Sequence, residues 1–190
     1  MQLSILKYAV VALATHCSGV LSQATPDQVV SNIKMLTDKS RALQAPAQSI
    51  NVINGPLIII GQGPFPQIIL GFTDIVSTAT AAIAQMQGMP PVTATASATA
   101  IFEAFRGFVS VHQALLNILI GKSGLFSTVP FIGQPIAAVL RQIESIVDTI
   151  ALGLIDAVES RAKDLQGQAD MLTASIDLTI ERYEGISVSK

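Results

Sequence analysis

Few side chains in this sequence could do covalent or acid–base chemistry. Its 190 residues include two histidines, His16 and His112, and one cysteine, Cys17. A Ser-His-Asp or Cys-His constellation needs a base beside a nucleophile and an acid that orients it, and a zinc site needs three or four His, Cys or carboxylate ligands. With His112 alone beyond the first residues and no carboxylates in a recognisable pairing, we expect no catalytic residue, no metal and no cofactor; the chain reads as a non-enzyme. Gly121-Lys122-Ser123 resembles the end of a phosphate-binding loop, but that motif places a glycine where this chain has Leu116. Gly61-Gln62-Gly63 precedes Pro64, which lacks the N–H a phosphate cradle would use.

His112 is therefore the residue to weigh. It falls in line with Phe105, Phe108 and Leu115 at helical spacing, on an apolar stripe and away from the polar line Glu103, Arg106, Ser110, Gln113 and Asn117. Two roles fit an imidazole there. It can be a core-edge histidine bonded to a backbone carbonyl, or it can anchor the polar head group of an otherwise apolar ligand. One polar group set in an aromatic and aliphatic stripe is the usual make-up of a ligand pocket.

Composition narrows the choice. Hydrophobic residues make up 50% of the chain and charged residues only 13%, with a mean hydropathy of +0.55. Globular domains average about 25% charged residues. The deficit is local: from Ala42 to Leu140 only Asp74, Glu103, Arg106 and Lys122 carry charge, while Arg141 to Lys190 is acidic. No basic stripe exists, so nucleic acid is excluded as a partner. Part of the hydropathy belongs to the N-terminus, where Lys7, the apolar run Tyr8–Leu13 and Ser22-Gln23-Ala24 read as a secretory leader over residues 1–24. The mature domain is then 25–190, cysteine-free and held by packing alone. No transmembrane segment is expected in it, because Ile101–Ile120 carries Glu103, Arg106, His112, Gln113 and Asn117, and Gly55–Leu70 is broken by glycines and prolines.

Apolar period specifies the elements that position His112. Val29, Ile33, Leu36, Ser40, Leu43, Ala47 and Ile50 lie on one helical face, opened by the capping box Thr25-Pro26-Asp27-Gln28, kinked at Pro46 and ended by Asn54-Gly55-Pro56. Ile68, Phe72, Ile75, Ala79, Ala82 and Met86 form a second seam. Ile101 to Leu119 forms a third, with Thr93, Thr95 or Ser97 as its cap and Gly121 to Gly124 as its end. A fourth helix opens at Pro135 and a fifth near Ser160, ending at Gly185; Leu57–Ile60 is a short β-prone run. The expected fold is an all-α five-helix bundle with near-antiparallel neighbours. Its second and third helices are apolar over more than one seam, and that surplus could line a cavity or face an apolar surface outside.

The chain then resembles a known family. The leader, the cysteine-free Ala/Ile/Leu/Val/Ser/Thr-rich domain opening with Val29-Val30-Ser31-Asn32-Ile33, Gly55-Pro56 after the first helix, and the runs Ile136–Ile143 and Ala151–Val158 are similar to the fungal hydrophobic surface-binding protein A family, also called cell-wall galactomannoproteins. The resemblance covers roughly residues 27–185. It implies a helical bundle with a central apolar cavity that takes a long-chain fatty acid. Some members also adsorb to hydrophobic surfaces and recruit secreted hydrolases, the alternative reading here. No Ser/Thr-rich stalk or apolar tail follows Gly185, so the expected product is secreted and extracellular, associated with the cell wall without a GPI anchor if at all. The carboxylate-binding residue of that family does not map onto a motif here, and His112 is placed in the role by its own setting. Our candidate ligand-binding walls are Phe72 and Val76 on the second helix and Phe105, Phe108 and Leu116 on the third. Leu140 and Val147 join them from the fourth. Burying about 14 methylenes at ~0.8 kcal/mol each yields ~11 kcal/mol gross, which after association costs suits a dissociation constant near micromolar.

Overall fold

Thr25 begins the first helix as its side-chain chemistry dictates: its hydroxyl accepts from the Gln28 amide and the Gln28 side chain accepts from the Thr25 amide. The structure, a computed structural model, describes residues 23–126 and 133–184, without the side chains of residues 58, 59 and 126. Most of the leader expected over 1–24, the 127–132 connection and the stop expected at Gly185 lie outside the described residues.

Helix α1 (Pro26–Ala42) and the short α2 (Gln44–Ser49) replace one kinked helix. Pro46 explains the break, because its ring would clash with the carbonyl four residues earlier, that of Ala42. Helices α3 (Pro64–Met86), α4 (Thr95–Ser123), α5 (Gly133–Ala157) and α6 (Ala162–Glu184) follow, giving five long helices among the described residues and no strand. The run Leu57–Ile60, expected to be β-prone, instead lies in a 3-10 helix, Gly55–Ile60. Gly55 and Pro56 start that turn, and among the described residues there is no partner strand to satisfy an extended one. The expected side-chain cap of α4 is also corrected. Ala94 is its N-cap with no side-chain hydrogen bond, and the entry is pinned instead by the Val92 amide donating to the Ala157 carbonyl at 2.7 Å. Gly124 caps the other end in right-handed geometry and leads into a 3-10 turn.

The five long helices close a ring in the order α1, α3, α5, α6, α4 and back to α1. Contacts between their side chains set the directions. Asn32–Gln85 and Lys39–Asp74 make α1 and α3 antiparallel, and Thr173–Asp148 with Arg141–Glu184 does the same for α5 and α6. Ser40–His112 and Ile50–Lys122 run α1 parallel to α4, and Gln113–Ser175 and Leu119–Tyr183 run α4 parallel to α6. It follows that α3 and α5 are parallel too. Successive helices alternate in direction, but most spatial neighbours are parallel, not near-antiparallel, because α3, α4 and α5 are not adjacent in chain order around the ring.

Every seam residue of α4 from Ile101 to Leu119 points into this ring, as do the seams of the other helices, in one continuous core. Helices α3 and α4 are also long and apolar enough to cross a membrane by length and composition alone; here their seams are ring walls. Part of the apolar surplus of α3 lies outside: Leu70 is 69% exposed.

Candidate functional site

Two polar residues occupy apolar seam positions on adjacent parallel helices, Ser40 on α1 and His112 on α4. Both are fully buried. Because α1 and α4 run together, their seams meet level by level, and Ser40 Oγ lies 2.9 Å from His112 Nδ1. The buried threonine hydroxyls turn back on their own backbones, Thr37 of α1 to Ile33 and Thr179 of α6 to Ser175. Ser40 instead reaches the neighbouring helix. The imidazole was expected, if structural, to bond a backbone carbonyl; its partner is a hydroxyl instead.

The second ring nitrogen is the notable atom. His112 Nε2 is buried and has no hydrogen-bond partner among the described residues. Leaving a buried polar atom unmatched costs about 1–3 kcal/mol, so such atoms are rare in native cores and call for an explanation. Around it lie rings, not charges. Phe72 of α3 stands edge-on at 6.0 Å between centroids, and Phe108 lies tilted at 5.4 Å; Phe105 in turn packs on Phe108 at 6.3 Å. Burial in this apolar setting pushes the imidazole pKa from 6.5 down to about 4, so the ring is neutral at physiological pH. If Ser40 donates to Nδ1, Nε2 carries the hydrogen and donates; if Nδ1 donates to Ser40, Nε2 accepts. A carboxylic acid or carboxylate supplies a partner for either tautomer.

The remaining expected wall residues join the same core. Phe105, Leu116 and Leu140 are fully buried, and Phe108 and Val147 are 2% exposed; Val76 is half-buried against the cluster. They fill the ring axis with their own side chains. Three pockets on the described surface lie elsewhere, toward the ends of helices. One of about 360 Å³ opens between α3 and α5, lined by Ile83, Met86, Met89, Thr149, Gly153 and Asp156 among others. Its shape comes from Gly153, where an added Cβ would sit 3.3 Å from Met86 Cε. Among the described residues no three His, Cys, Asp or Glu side chains gather as a metal site. Ser40 is the site residue sequence reasoning passed over, and its signal was present: a hydroxyl in a seam whose other positions are all aliphatic.

No protein-family model matches this chain, and no curated protein matches it in sequence. Solved structures do match its fold. AfMp4p, solved in complex with palmitic acid, superposes with a TM-score of 0.73 at 14% identity, over 84% of this chain and 99% of that one. Ligand binding domain 2 of the Penicillium marneffei MP1 protein, solved with multiple arachidonic acids, matches with a TM-score of 0.68 at 16% identity, over 84% of this chain and 94% of that one. Ligand binding domain 1 of the same protein, also solved with arachidonic acids, matches at 0.63 and 15% identity, over 82% and 98%. These structural neighbours are fungal fatty-acid-binding proteins, and what this chain shares with them is the all-helical fold.

Proposed function

We propose that this chain is a fatty-acid-binding protein whose ligand runs along the ring axis with its carboxyl group on His112 Nε2. One observation carries the reading: a fully buried imidazole nitrogen, unpartnered and ringed by Phe72 and Phe108, at the centre of a closed helical ring. A long-chain acid supplies both what that nitrogen lacks and what the walls favour, a hydrogen-bonding head and a hydrocarbon tail. Helices α3 and α5 both stand across the ring from α4 and pack on it less closely than α1 and α6 do. Phe72, Phe105, Phe108, Leu116, Leu140 and Val147 fill the axis in this structure, so the acyl chain enters by displacing them. The fatty acids in the neighbouring structures support the ligand class. The leader-like residues 1–24 support secretion, to the medium or the cell wall, and the hydrophobic surface-binding protein A resemblance is the finer family reading.

Titration of the purified protein with palmitate and arachidonate, together with native mass spectrometry, tests it. Saturable binding near micromolar is expected. His112→Ala should weaken carboxylate ligands by about tenfold or more, since a hydrogen bond involving a charged group contributes ~1.5–3 kcal/mol, while methyl esters lose less. Equal losses would reduce His112 to packing, and no saturable signal would sink the reading. Depletion from solution by apolar beads, undiminished by added fatty acid, would favour the adsorbing alternative.

A further inference from the structure

The end of the ring where α1, α3 and α4 meet is covered by a turn of unusual make-up. Of the eight described large apolar side chains that stand exposed, four fall between residues 52 and 70, and three of these belong to the turn: Val52 at 71%, Ile53 at 81% and Ile60 at 65%. No charged residue occurs anywhere from Ala42 to Thr73. Lys122 at this end commits its Nζ to the Ile50 carbonyl at 2.8 Å, and the Arg141–Glu184 pair belongs to the α5–α6 side.

The turn also satisfies much of its own backbone. The Asn51 amide donates to Asn54 Oδ1, and the Ile53 and Asn54 amides donate to Asn51 Oδ1 at 2.9 and 3.1 Å. The Gly55 amide donates to the Asn51 carbonyl, and both Asn side chains donate to the Ser49 carbonyl. Behind it Gly63, at φ +82°, lets the chain pass so close that a Cβ would lie 2.7 Å from the Asn54 carbonyl oxygen. Backbone groups matched in this way tolerate removal from water, the condition an apolar phase imposes. A preorganised, uncharged tip with protruding aliphatic side chains loses little entropy on insertion, and its lack of charge complements a surface that carries no net charge.

We propose that Asn51–Ile60 is a docking element by which this end of the bundle seats on a zwitterionic phospholipid bilayer, with Val52, Ile53 and Ile60 entering the interface. As a route for collecting ligand it rests on the fatty-acid reading, but the docking itself is tested without any fatty acid. The full chain, collected from the medium of a secreting host, is floated with vesicles of pure phosphatidylcholine, with and without added phosphatidylserine. Binding should be insensitive to salt and to phosphatidylserine. The double variant Val52→Ser/Ile53→Ser should lose about tenfold or more in partitioning while palmitate binding in solution is unchanged. Leu152→Ser, which removes a side chain 60% exposed toward the far end of α5, should leave partitioning within about twofold. Failure of the unaltered chain to float with phosphatidylcholine, binding confined to anionic vesicles at low salt, or an equal loss from Leu152→Ser would overturn the assignment. A dimer in solution abolished by the double variant, with no vesicle binding, would give the turn to a second copy and overturn it as well.

Discussion

The buried imidazole makes the stability of this fold depend on pH in a calculable way. His112 titrates at 6.5 when exposed in the unfolded chain and at about 4 in the folded ring, where burial disfavours its charged form. Above pH 6.5 both states hold it neutral and it contributes no pH dependence. Below 6.5 the unfolded chain takes up a proton that the folded one refuses, so stability falls as pH falls, until the folded state also protonates near 4. Linkage converts this difference into a loss of ~2 kcal/mol by pH 5 and ~3 kcal/mol by pH 4 relative to neutral pH. Urea unfolding at a series of pH values measures it, with His112→Gln as reference, since glutamine can keep a bond to Ser40 but does not titrate. The carboxylates act on both proteins alike, so the difference between the two curves isolates His112. Saturation with a fatty acid should flatten the wild-type curve, because a carboxylate at Nε2 favours the imidazolium. Parallel curves for wild type and His112→Gln would refute the placement of a neutral, unpartnered histidine in the core.

Three further outcomes test the scaffold. Glu144 on α5 is held above the usual carboxylate range, first by burial and then by the charge and hydrogen bond of Asp177 and the charge of Asp148. A raised folded pKa means that wild type gains stability as pH falls through it; Glu144→Gln should therefore stabilise the protein at pH 7 by ~0.5 kcal/mol, a gain that vanishes in mild acid, as followed by urea midpoints. Gly63→Ala meets both the positive φ and the Asn54 carbonyl, and should cost ~1–3 kcal/mol in thermal or urea unfolding. Thr25→Ala removes half of the capping box of α1 and should cost ~1 kcal/mol by the same measurement, with Thr25→Ser restoring most of it.

The one-dimensional features were readable because their causes are local. Thr25 and Gln28 sit three residues apart, so the capping box needs nothing but its own turn. The spacing that places His112 beside Phe108 and Leu115 places it in the core whatever the core contains, and Pro46 obstructs Ala42 in any context. Readings failed where a local preference had a distant competitor. Thr93, Thr95 and Ser97 were all eligible caps, yet the Ala157 carbonyl fixed the start of α4 from 65 residues away. Leu57–Ile60 carries β-prone residues, but the Asn51–Gly55 turn and Gly63 fold it back before any strand can find a partner.

By itself the sequence determined that the chain is helical, where the first long helix begins, to within two residues where the last two begin, and which face of each is buried, because period, caps and breakers act within a turn or two of the residues that carry them. An apolar seam states that a face is covered but not by which helix or in which direction, since any apolar face satisfies any other. The tertiary structure decided that α1 and α4 run parallel and side by side. That choice sets Ser40, 72 residues away, against Nδ1 of His112 and leaves Nε2 unmatched in an aromatic setting, and it gathers an uncharged, aliphatic turn at the end of the ring where those two helices finish.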